Sequence, residues 1–401
     1  MALVPVAEAL ARLLDGAGPL GSQNVPVAAA AWRVLAEPVA ALRTQPPFPA
    51  SAMDGYAVRA ADVAATPVRL RIVGEAPAGR MFHGQVNQGE AVRIFTGAPV
   101  PSGADAVLIQ ENARRVDDHR VEALEPVAAG RNIRQPGLDF REGEILLDAG
   151  RVLDAAALSL AAAANHATLR VLRRPLLAII ATGDELLPPG STPGPDQIIA
   201  SNGYGVATIA VEAGADVLDL GIVGDDRDAM ARAVRQALDA GADVIVTLGG
   251  ASVGDHDLVH TVLSGEGMTL DFWKIAMRPG KPLMFGRLAN TRVIGLPGNP
   301  VASLVCSHLF LKPLVARLAG RQHHADRREA RLGAAMAAND HREDYVRAKI
   351  ERTAGGIVAT PFAVQDSSML KTLAQADALI VRPPQAPAAE TGDLCRVLML
   401  R

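Results

Sequence analysis

The chain has 401 residues, of which 49% are hydrophobic and 3% aromatic, and 40 basic against 43 acidic residues leave a formal net charge of −3. The apolar fraction excludes wholesale disorder, and at about 150 residues per domain the length predicts two to three domains. The charge balance lacks the basic footprint of duplex binding, and 8 Phe, 3 Tyr and 2 Trp are too few for broad base-stacking surfaces. No nucleic-acid partner is therefore expected.

The cysteines and the N-terminus indicate a cytoplasmic protein. Cys306 and Cys395 are widely separated and match neither a disulfide framework nor a zinc motif, which is typical of a reducing compartment. The first 16 residues, MALVPVAEALARLLDG, predict an amphipathic helix and lack the pattern of a signal peptide. The most apolar stretch, 301–318, is interrupted by His308 and Lys312, so no membrane span is expected.

Residues 1–174 predict a composite N-terminal domain. After the first helix, short apolar runs broken by Gly and Pro turns predict a β-rich insert from about 50 to 148. An Ala-rich helix is predicted at 154–165, so the β-rich insert lies between helical parts.

Between 175 and 320 apolar runs alternate regularly with helical patterns. The runs are PLLAIIA (175–181), ADVLDLGIV (215–223), ADVIVTLGG (242–250) and TRVIGLPG (291–298), and the helices are predicted at 203–213, 227–240, 255–264 and 299–318. This alternation predicts a doubly wound, mostly parallel α/β sheet covered by helices on both faces. Ligands of such sheets bind beyond the carboxyl ends of the strands.

From 325 to 401, short strand-like runs between turns predict a small, barrel-like, all-β C-terminal domain. An Arg- and His-rich linker is predicted at 321–328. The expected architecture is therefore a central α/β domain between a composite N-terminal domain and a C-terminal β domain.

Unusual polar residues follow each predicted strand of the α/β domain. They are Thr182, Gly183, Asp184 and Glu185 after the first strand, Asp225 after the second, Gly249, Gly250, Ser252, Gly254 and Asp257 after the third, and Pro297, Gly298, Asn299 and Pro300 after the fourth. Glycines let the backbone approach a ligand, and free N–H groups at a helix start attract anions. Asn299 is a good N-cap for the last helix. Carboxylates would repel such an anion unless a divalent cation bridges them, so Mg²⁺ is implied.

A basic segment, FWKIAMRPGKP (272–282), places Lys274, Arg278 and Lys281 around a Pro-Gly turn. Arginine supplies a planar fork and lysine a point charge, so this segment predicts a clamp for phosphate or a tetrahedral oxyanion.

Residues 250–254 also match the G-x-S-x-G elbow of α/β-hydrolases. In that alternative Ser252 is a nucleophile, with Asp271 and His308 as partners. The α/β block is short for a hydrolase, and the flanking Gly249 and Asp255 suit an anion cradle better.

Seven motifs together resemble the molybdopterin molybdenumtransferase family, which includes the MoeA proteins and the gephyrin E domain. They are SAMDGYAVR (51–59), FTGAPVP (95–101), NIRQPGLD (132–139), TGDEL (182–186), GGASVGDHD (249–257), FWKIAMRPGKP (272–282) and LPGNP (296–300). The C-terminal SSMLKTLAQADALIVRPP is also similar to the last domain of that family. The resemblance therefore covers nearly the whole chain.

The resemblance implies the last step of molybdenum cofactor synthesis. In that step adenylyl-molybdopterin and molybdate are the substrates, Mg²⁺ is required, AMP is released and the metal enters the dithiolene. It also implies a cytosolic homodimer whose active site lies between the α/β domain of one subunit and the N-terminal domain of the other. Contact with the adenylyltransferase that supplies the substrate is a further expectation.

Motif by motif, the resemblance assigns roles to residues of this chain. The acidic catalytic positions fall on Asp54, Asp139, Glu185, Asp225 and Asp257, the N-terminal threonine on Thr96, and the helix-opening prolines on Pro297 and Pro300. Glu185, Asp225 and Asp257 would position Mg²⁺ or the dithiolene end. Lys274, Arg278 and Lys281 would hold molybdate or the terminal phosphate. Gly249, Gly250, Ser252 and Gly254 would cradle the pterin phosphate.

Two positions depart from the family pattern. Arg278 stands where some members have Lys, which changes the geometry offered to molybdate. Ala200 stands where many members have Asp, which leaves Ser201 and Asn202 as helix caps.

Two other functions remain open from the sequence. A molybdopterin adenylyltransferase resembles the α/β domain alone, and the flanking domains argue against it. A non-catalytic scaffold of the same fold has no need of the full acidic and basic set.

Overall fold

The computed structural model describes residues 3–249 and 258–401, and the chain divides into two compact units. The N-terminal unit consists of residues 24–31 and 35–170. The main unit consists of the residues up to Gln23, residues 32–34 and residues 171–401. The predicted domain limits 1–174, 175–320 and 325–401 stay a prediction, because a compact unit of the structure can contain more than one domain.

The N-terminal half of the chain is rich in short strands, as predicted for its β-rich insert. They are β1 (Ser22–Pro26), β2 (Val39–Ala40), β3 (Ala50–Ser51), β4 (Gly55–Val58), β5 (Val68–Ala76), β6 (Glu90–Ile94), β7 (Ala106–Ile109), β8 (Ala113–Asp117), β9 (Arg120–Ala123), β10 (Ile133–Arg134), β11 (Ile145–Leu147) and β12 (Thr168–Leu172). Six of them form one mixed sheet in the order β7-β4-β6-β5-β9-β8. Both faces are buried, since Tyr56 and Val58 of β4 join one core and Ala57 joins the other.

Two helices flank this region in sequence, α1 (Val6–Leu14) and α2 (Ala155–Ala163). The α2 helix begins where Asp154 accepts a hydrogen bond from the N–H of Ala157 at 2.9 Å. The α1 helix buries Val6, Ala9 and Leu13, spaced at helical intervals, in the core of the main unit.

The central sheet of the main unit confirms the predicted α/β architecture. Its region contains β13 (Leu176–Thr182), β14 (Leu186–Leu187), β15 (Ile198–Ile199), β16 (Asp216–Val223), β17 (Val244–Leu248), β18 (Thr269–Phe272), β19 (Met277–Arg278), β20 (Met284–Leu288) and β21 (Thr291–Leu296). The order is β16-β13-β17-β21-β20-β18, in which the first four strands are parallel and β20 is antiparallel to both of its neighbours, β21 and β18. The edge strands β20 and β18 and their antiparallel pairings were not predicted, because no helical pattern separates them from β21.

Helices cover both faces of this sheet. They are α3 (Asn202–Ala213), α4 (Arg227–Asp239), α5 (Leu258–Gly265), α6 (Pro300–Cys306) and α7 (Lys312–Leu318), and a π-helical turn, Ser307–Leu311, joins the last two. Neighbouring residues of β13 face opposite cores, since Ile179 packs in one and Ile180 in the other. The run Pro300–Leu318 is long and apolar enough to cross a membrane by length and composition, but 78% of its most apolar window is buried inside the protein.

The C-terminal strands close into a five-stranded barrel, as predicted. They are β22 (Arg327–Leu332), β23 (Glu343–Thr353), β24 (Gly356–Pro361), β25 (Ala378–Arg382) and β26 (Leu394–Met399). The order β23-β24-β22-β26-β25 closes because β25 pairs back with β23, and β19 adds a parallel strand to β23. A short helix, α8 (Leu370–Gln375), is the departure from an all-β domain.

Candidate active site

The carboxyl ends of β13, β16, β17 and β21 lie at one edge of the central sheet because these strands are parallel. Thr182, at the end of β13, donates its hydroxyl to the carbonyl of Leu248 at 3.2 Å. The N–H of Gly183 donates to the carbonyl of Val223 at 3.3 Å. The polar segments that follow the first three strands are therefore neighbours, as predicted.

Three carboxylates gather at this edge, and we call Asp184, Glu185 and Asp225 the acidic cluster. Oδ1 of Asp184 accepts the N–H of Asp225 at 2.9 Å. Burial raises the pKa of Asp225, and the charges of Asp184 and Glu185 raise it further. Among residues 3–249 and 258–401, no Lys, Arg or His forms an ion pair with the acidic cluster.

The acidic cluster is not a complete metal site by itself. Within the described part of the chain, no group of three or more His, Cys, Asp or Glu side chains is placed to hold a metal ion. The third predicted metal ligand, Asp257, lies outside the described residues.

Glycines at the strand ends permit close backbone approach. Gly249 has φ +93°, and a methyl group there would lie 2.8 Å from the carbonyl oxygen of Thr182. A methyl group on Gly298 would lie 3.8 Å from the Cα of Gly249, so the ends of β17 and β21 are also neighbours. The predicted cradle residues Gly250, Ser252 and Gly254 lie outside the described residues.

The turn after β21 opens α6, and Pro300 is its first helical residue. Asn299 occupies the N-cap position as predicted, but its side chain makes no capping hydrogen bond. Instead Nδ2 of Asn299 donates to Oγ of Ser367 at 3.0 Å, and the N–H of Val301 donates to the carbonyl of Ser367 at 3.0 Å. Ser367, in the segment between β24 and α8, therefore fixes the turn that Pro297 begins. Ser367 was not predicted individually, although it lies at the start of the SSMLK resemblance.

Asn202 also acts at this turn. Its Nδ2 donates to the carbonyl of Gly298 at 2.7 Å, whereas Ser201 makes no side-chain capping bond to α3. Ser201 therefore occupies the N-cap position as expected, but without a side-chain bond, and Asn202 is the first residue of the helix rather than its cap. The side chain of Asn202 supports the turn after β21 instead.

The basic segment is anchored against α6. The N–H of Ile275 donates to the carbonyl of Lys281 at 2.9 Å, which closes the loop. Gly280 has φ +112°, and a methyl group there would lie 2.5 Å from Sγ of the buried Cys306. Lys274 is half-buried and Lys281 exposed, and neither forms an ion pair with a described carboxylate.

Arg278 differs from the two lysines because the barrel balances its charge. Its Nη2 donates to Oδ2 of Asp344 at 2.6 Å, and its Nη1 lies 3.8 Å from Oδ2 of Asp340. The hydrogen bond with Asp344 raises the pKa of Arg278. An oxyanion would share or displace these partners, so the predicted molybdate contact of Arg278 stays a prediction.

In the N-terminal unit, Asp54 and Thr96 form a tight pair. Oδ1 of Asp54 accepts both the N–H and the hydroxyl of Thr96, each at 2.7 Å. These bonds, the backbone bond first, lower the pKa of Asp54. Asp54 is therefore held ionised.

Backbone pairing brings the three N-terminal motifs together. The N–H of Gly97 donates to the carbonyl of Ser51 at 2.8 Å, and Ile133 is paired with Ser51 across β10 and β3. Asp139 is exposed, and its N–H donates to the carbonyl of Gln45 at 3.0 Å. The predicted site residues of this unit thus lie on one set of connected loops.

The structure does not join Asp271 and His308 into the catalytic pair that the hydrolase alternative requires. Asp271 lies 3.4 Å from Nη1 of Arg12, on the edge strand β18. Burial lowers the pKa of His308 to about 4. Within the described residues, Asp271 and His308 form no hydrogen bond or ion pair with each other.

Family models match three successive regions of the chain. They are described as MoeA N-terminal region (domain I and II) over residues 4–165, probable molybdopterin binding domain over residues 178–317, and MoeA C-terminal region (domain IV) over residues 329–400. A molybdopterin molybdenumtransferase of Nostoc sp. is 35% identical over 395 residues, covering 93% of this chain and 87% of the relative. One of Bacillus subtilis is 33% identical over 406 residues, covering 99% and 94%. A MoeA crystal structure from Pyrococcus horikoshii matches with a TM-score of 0.80 and 30% identity and covers all of both chains.

The fold, the site and these matches define a transferase of molybdenum cofactor biosynthesis. The chain belongs to the MoeA family, which confirms the resemblance carried by the seven motifs.

Proposed function

We propose that this protein inserts molybdate into adenylyl-molybdopterin in a Mg²⁺-dependent reaction that releases AMP. The observation that carries the proposal is the acidic cluster beside the glycine-lined strand ends Gly249 and Gly298. An adenylyltransferase needs the α/β domain alone, whereas this chain matches the family along all three regions.

Glu185 and Asp225 would hold Mg²⁺, together with Asp257 outside the described residues. The acidic cluster fits this ion because its charges repel one another and no described cation offsets them. Mg²⁺ keeps several water ligands, so two or three carboxylates are enough. When bound, the ion would neutralise charge on the phosphates of the substrate.

The substrate would lie over the strand ends. Gly249 and Gly298 would bring backbone close to the pterin phosphate. Gly250, Ser252 and Gly254 would complete this phosphate-binding cradle. Lys274 and Lys281 carry charges that no described carboxylate balances, so they suit molybdate or the terminal phosphate. Arg278 would contribute by exchanging its bond with Asp344.

Asp54, Thr96 and Asp139 would complete the site from the second subunit of a homodimer. Asp54 is held ionised by Thr96, so it suits a role as an acceptor or as a charged ligand. The proposal places the protein in the cytoplasm, where it would receive its substrate from the adenylyltransferase.

The test is an assay of AMP release from adenylyl-molybdopterin that depends on molybdate and Mg²⁺. Asp225→Asn should lower kcat/KM by about a hundredfold or more, because a carboxylate that would bind the metal is lost. Asp228→Asn is the matched control, since it removes the same charge from the exposed first turn of α4.

Two results would contradict the proposal. One is full activity of Asp225→Asn. The other is consumption of ATP with molybdopterin while adenylyl-molybdopterin stays intact, which would assign the adenylyltransferase reaction instead.

A further inference from the structure

A second polar site lies at the opposite end of the central sheet from the acidic cluster. A cavity of about 400 Å³ opens where β17 and β21 begin, and its lining includes Gly16, Asp243, Arg287 and Arg292. β17 and β21 are five and six residues long, so this cavity is about 15–20 Å from the candidate active site. All of its lining residues belong to the main unit.

Arginines converge on the turn that follows α1. Nη2 of Arg287 and Nη2 of Arg292 donate to the carbonyl of Asp15 at 2.9 and 2.6 Å. Nε of Arg317 donates to the carbonyl of Ala17 at 2.8 Å. Backbone carbonyls satisfy these hydrogen bonds but carry no full charge, so they do not balance the three guanidinium charges.

Within the described residues, no carboxylate forms an ion pair with the buried Arg292. Arg292 is only 7% exposed, and its Nε is buried without a hydrogen-bond partner. The nearest carboxylate of the turn, Asp15, is 84% exposed and lies 3.8 Å from Arg287. A buried, unpaired guanidinium is costly, so a ligand that pairs with it is strongly favoured.

Asp243 lines the cavity but does not supply this charge. Its two oxygens accept from Nη1 and Nη2 of Arg173 at 2.9 and 2.7 Å, and Oδ2 also accepts the N–H of Leu176 at 2.8 Å. Its charge is therefore already balanced. Burial lowers the pKa of Arg292, and the charges of Arg287 and Arg317 lower it further while Asp15 opposes them.

We propose that this cavity binds a phosphate-class dianion, either inorganic phosphate or the phosphate of a monoester. Two guanidinium groups at the cavity wall suit the oxygens of a tetrahedral dianion. Gly16 lies beside both groups, since a methyl group there would be in ordinary van der Waals contact with nitrogens of Arg287 and Arg292, at 3.9 and 4.0 Å. The site is separate from the proposed molybdate chemistry and does not depend on it.

The experiment is isothermal titration of the full chain with inorganic phosphate and, in a second arm, with adenosine monophosphate. We expect, apart from any binding at the candidate active site, one saturable phosphate site per chain that Arg287→Gln weakens by at least about tenfold. Arg235→Gln, an exposed arginine on α4 paired with Glu266, is the matched control and should bind as the wild type does. Tighter binding of adenosine monophosphate that also needs Arg287 would assign a monoester; phosphate binding alone would assign the free ion, and both support the site.

Arg292→Met provides a second variant of similar size that removes the buried charge. Its phosphate site should be lost, and any change in folding is monitored by urea unfolding without ligand. Equal phosphate binding by wild type, Arg287→Gln and Arg292→Met would overturn the proposal, as would the absence of saturable binding to the wild type. Those results would leave the arginines as supports of the Asp15 turn.

Discussion

Replacing Gly249 by alanine tests whether the end of β17 is sterically fixed. Gly249 follows the last buried residue of the strand and has φ +93°, a region that alanine disfavours. Gly241 offers a matched control, since it has φ +75° after α4 and a methyl group there would meet no atom within 4 Å. Both variants change glycine to alanine at positive φ, and only Gly249→Ala adds a steric overlap.

The two variants should differ by the energy of that overlap. At Gly241 the left-handed conformation costs alanine about 1 kcal/mol. At Gly249 the methyl group would also lie 2.8 Å from the carbonyl oxygen and 3.1 Å from the hydroxyl of Thr182. Overlaps of this kind in packed surroundings cost about 1–3 kcal/mol, so Gly249→Ala should lower the free energy of unfolding by about 2–4 kcal/mol.

Urea unfolding followed by circular dichroism measures the free energy of unfolding of each variant relative to the wild type. The AMP-release assay measures the effect of each substitution on activity. Gly249→Ala should lose most activity because the backbone moves away from the substrate, whereas Gly241→Ala should keep it. Equal unfolding free energies for the two variants would refute the reasoning. That result would mean that the strand end moves away from Thr182 without cost.

Three further outcomes follow from single contacts. Thr96→Val removes one of the two hydrogen bonds to Asp54, so the pKa of Asp54 should rise towards its ordinary value in an NMR titration, and AMP release should fall roughly tenfold. The pKa of Asp225 is raised above its usual 3.8, so the folded state favours the protonated form and this contribution to stability is lost as pH rises above about 4. Asp225→Asn should therefore gain stability relative to the wild type between pH 4 and pH 7 in urea unfolding, and no such gain would contradict the repulsion within the acidic cluster. Ser367→Ala should lower stability by about 0.5–1.5 kcal/mol because Asn299 loses its side-chain partner, and an unchanged unfolding free energy would show that the backbone bonds of Ser367 suffice.

The sequence predicted the central sheet well because its signals are local. Long apolar runs with helical patterns between them indicate parallel strands, and the polar residues after each run then share one edge. Thr182, Asp184, Glu185 and Asp225 follow this rule, and the structure brings them together.

Contacts between distant segments could not be predicted in this way. Ser367 supports Asn299 across 68 positions, and Asp344 balances Arg278 across 66. No periodicity or spacing connects such residues, since their proximity depends on how the barrel packs against the α/β part of the main unit.

The sequence by itself determined which strands of the central sheet are buried and which residue types follow them. It also determined to which family the motifs belong. Tertiary structure decided which charges are available. Lys274 lacks a described carboxylate partner while Arg278 is paired. Arg292 is buried and has no ion pair among residues 3–249 and 258–401, although nothing in its local sequence distinguishes it. The physical reason is that the energy of a charge depends on burial and on neighbours in space, which are set only when the chain is packed.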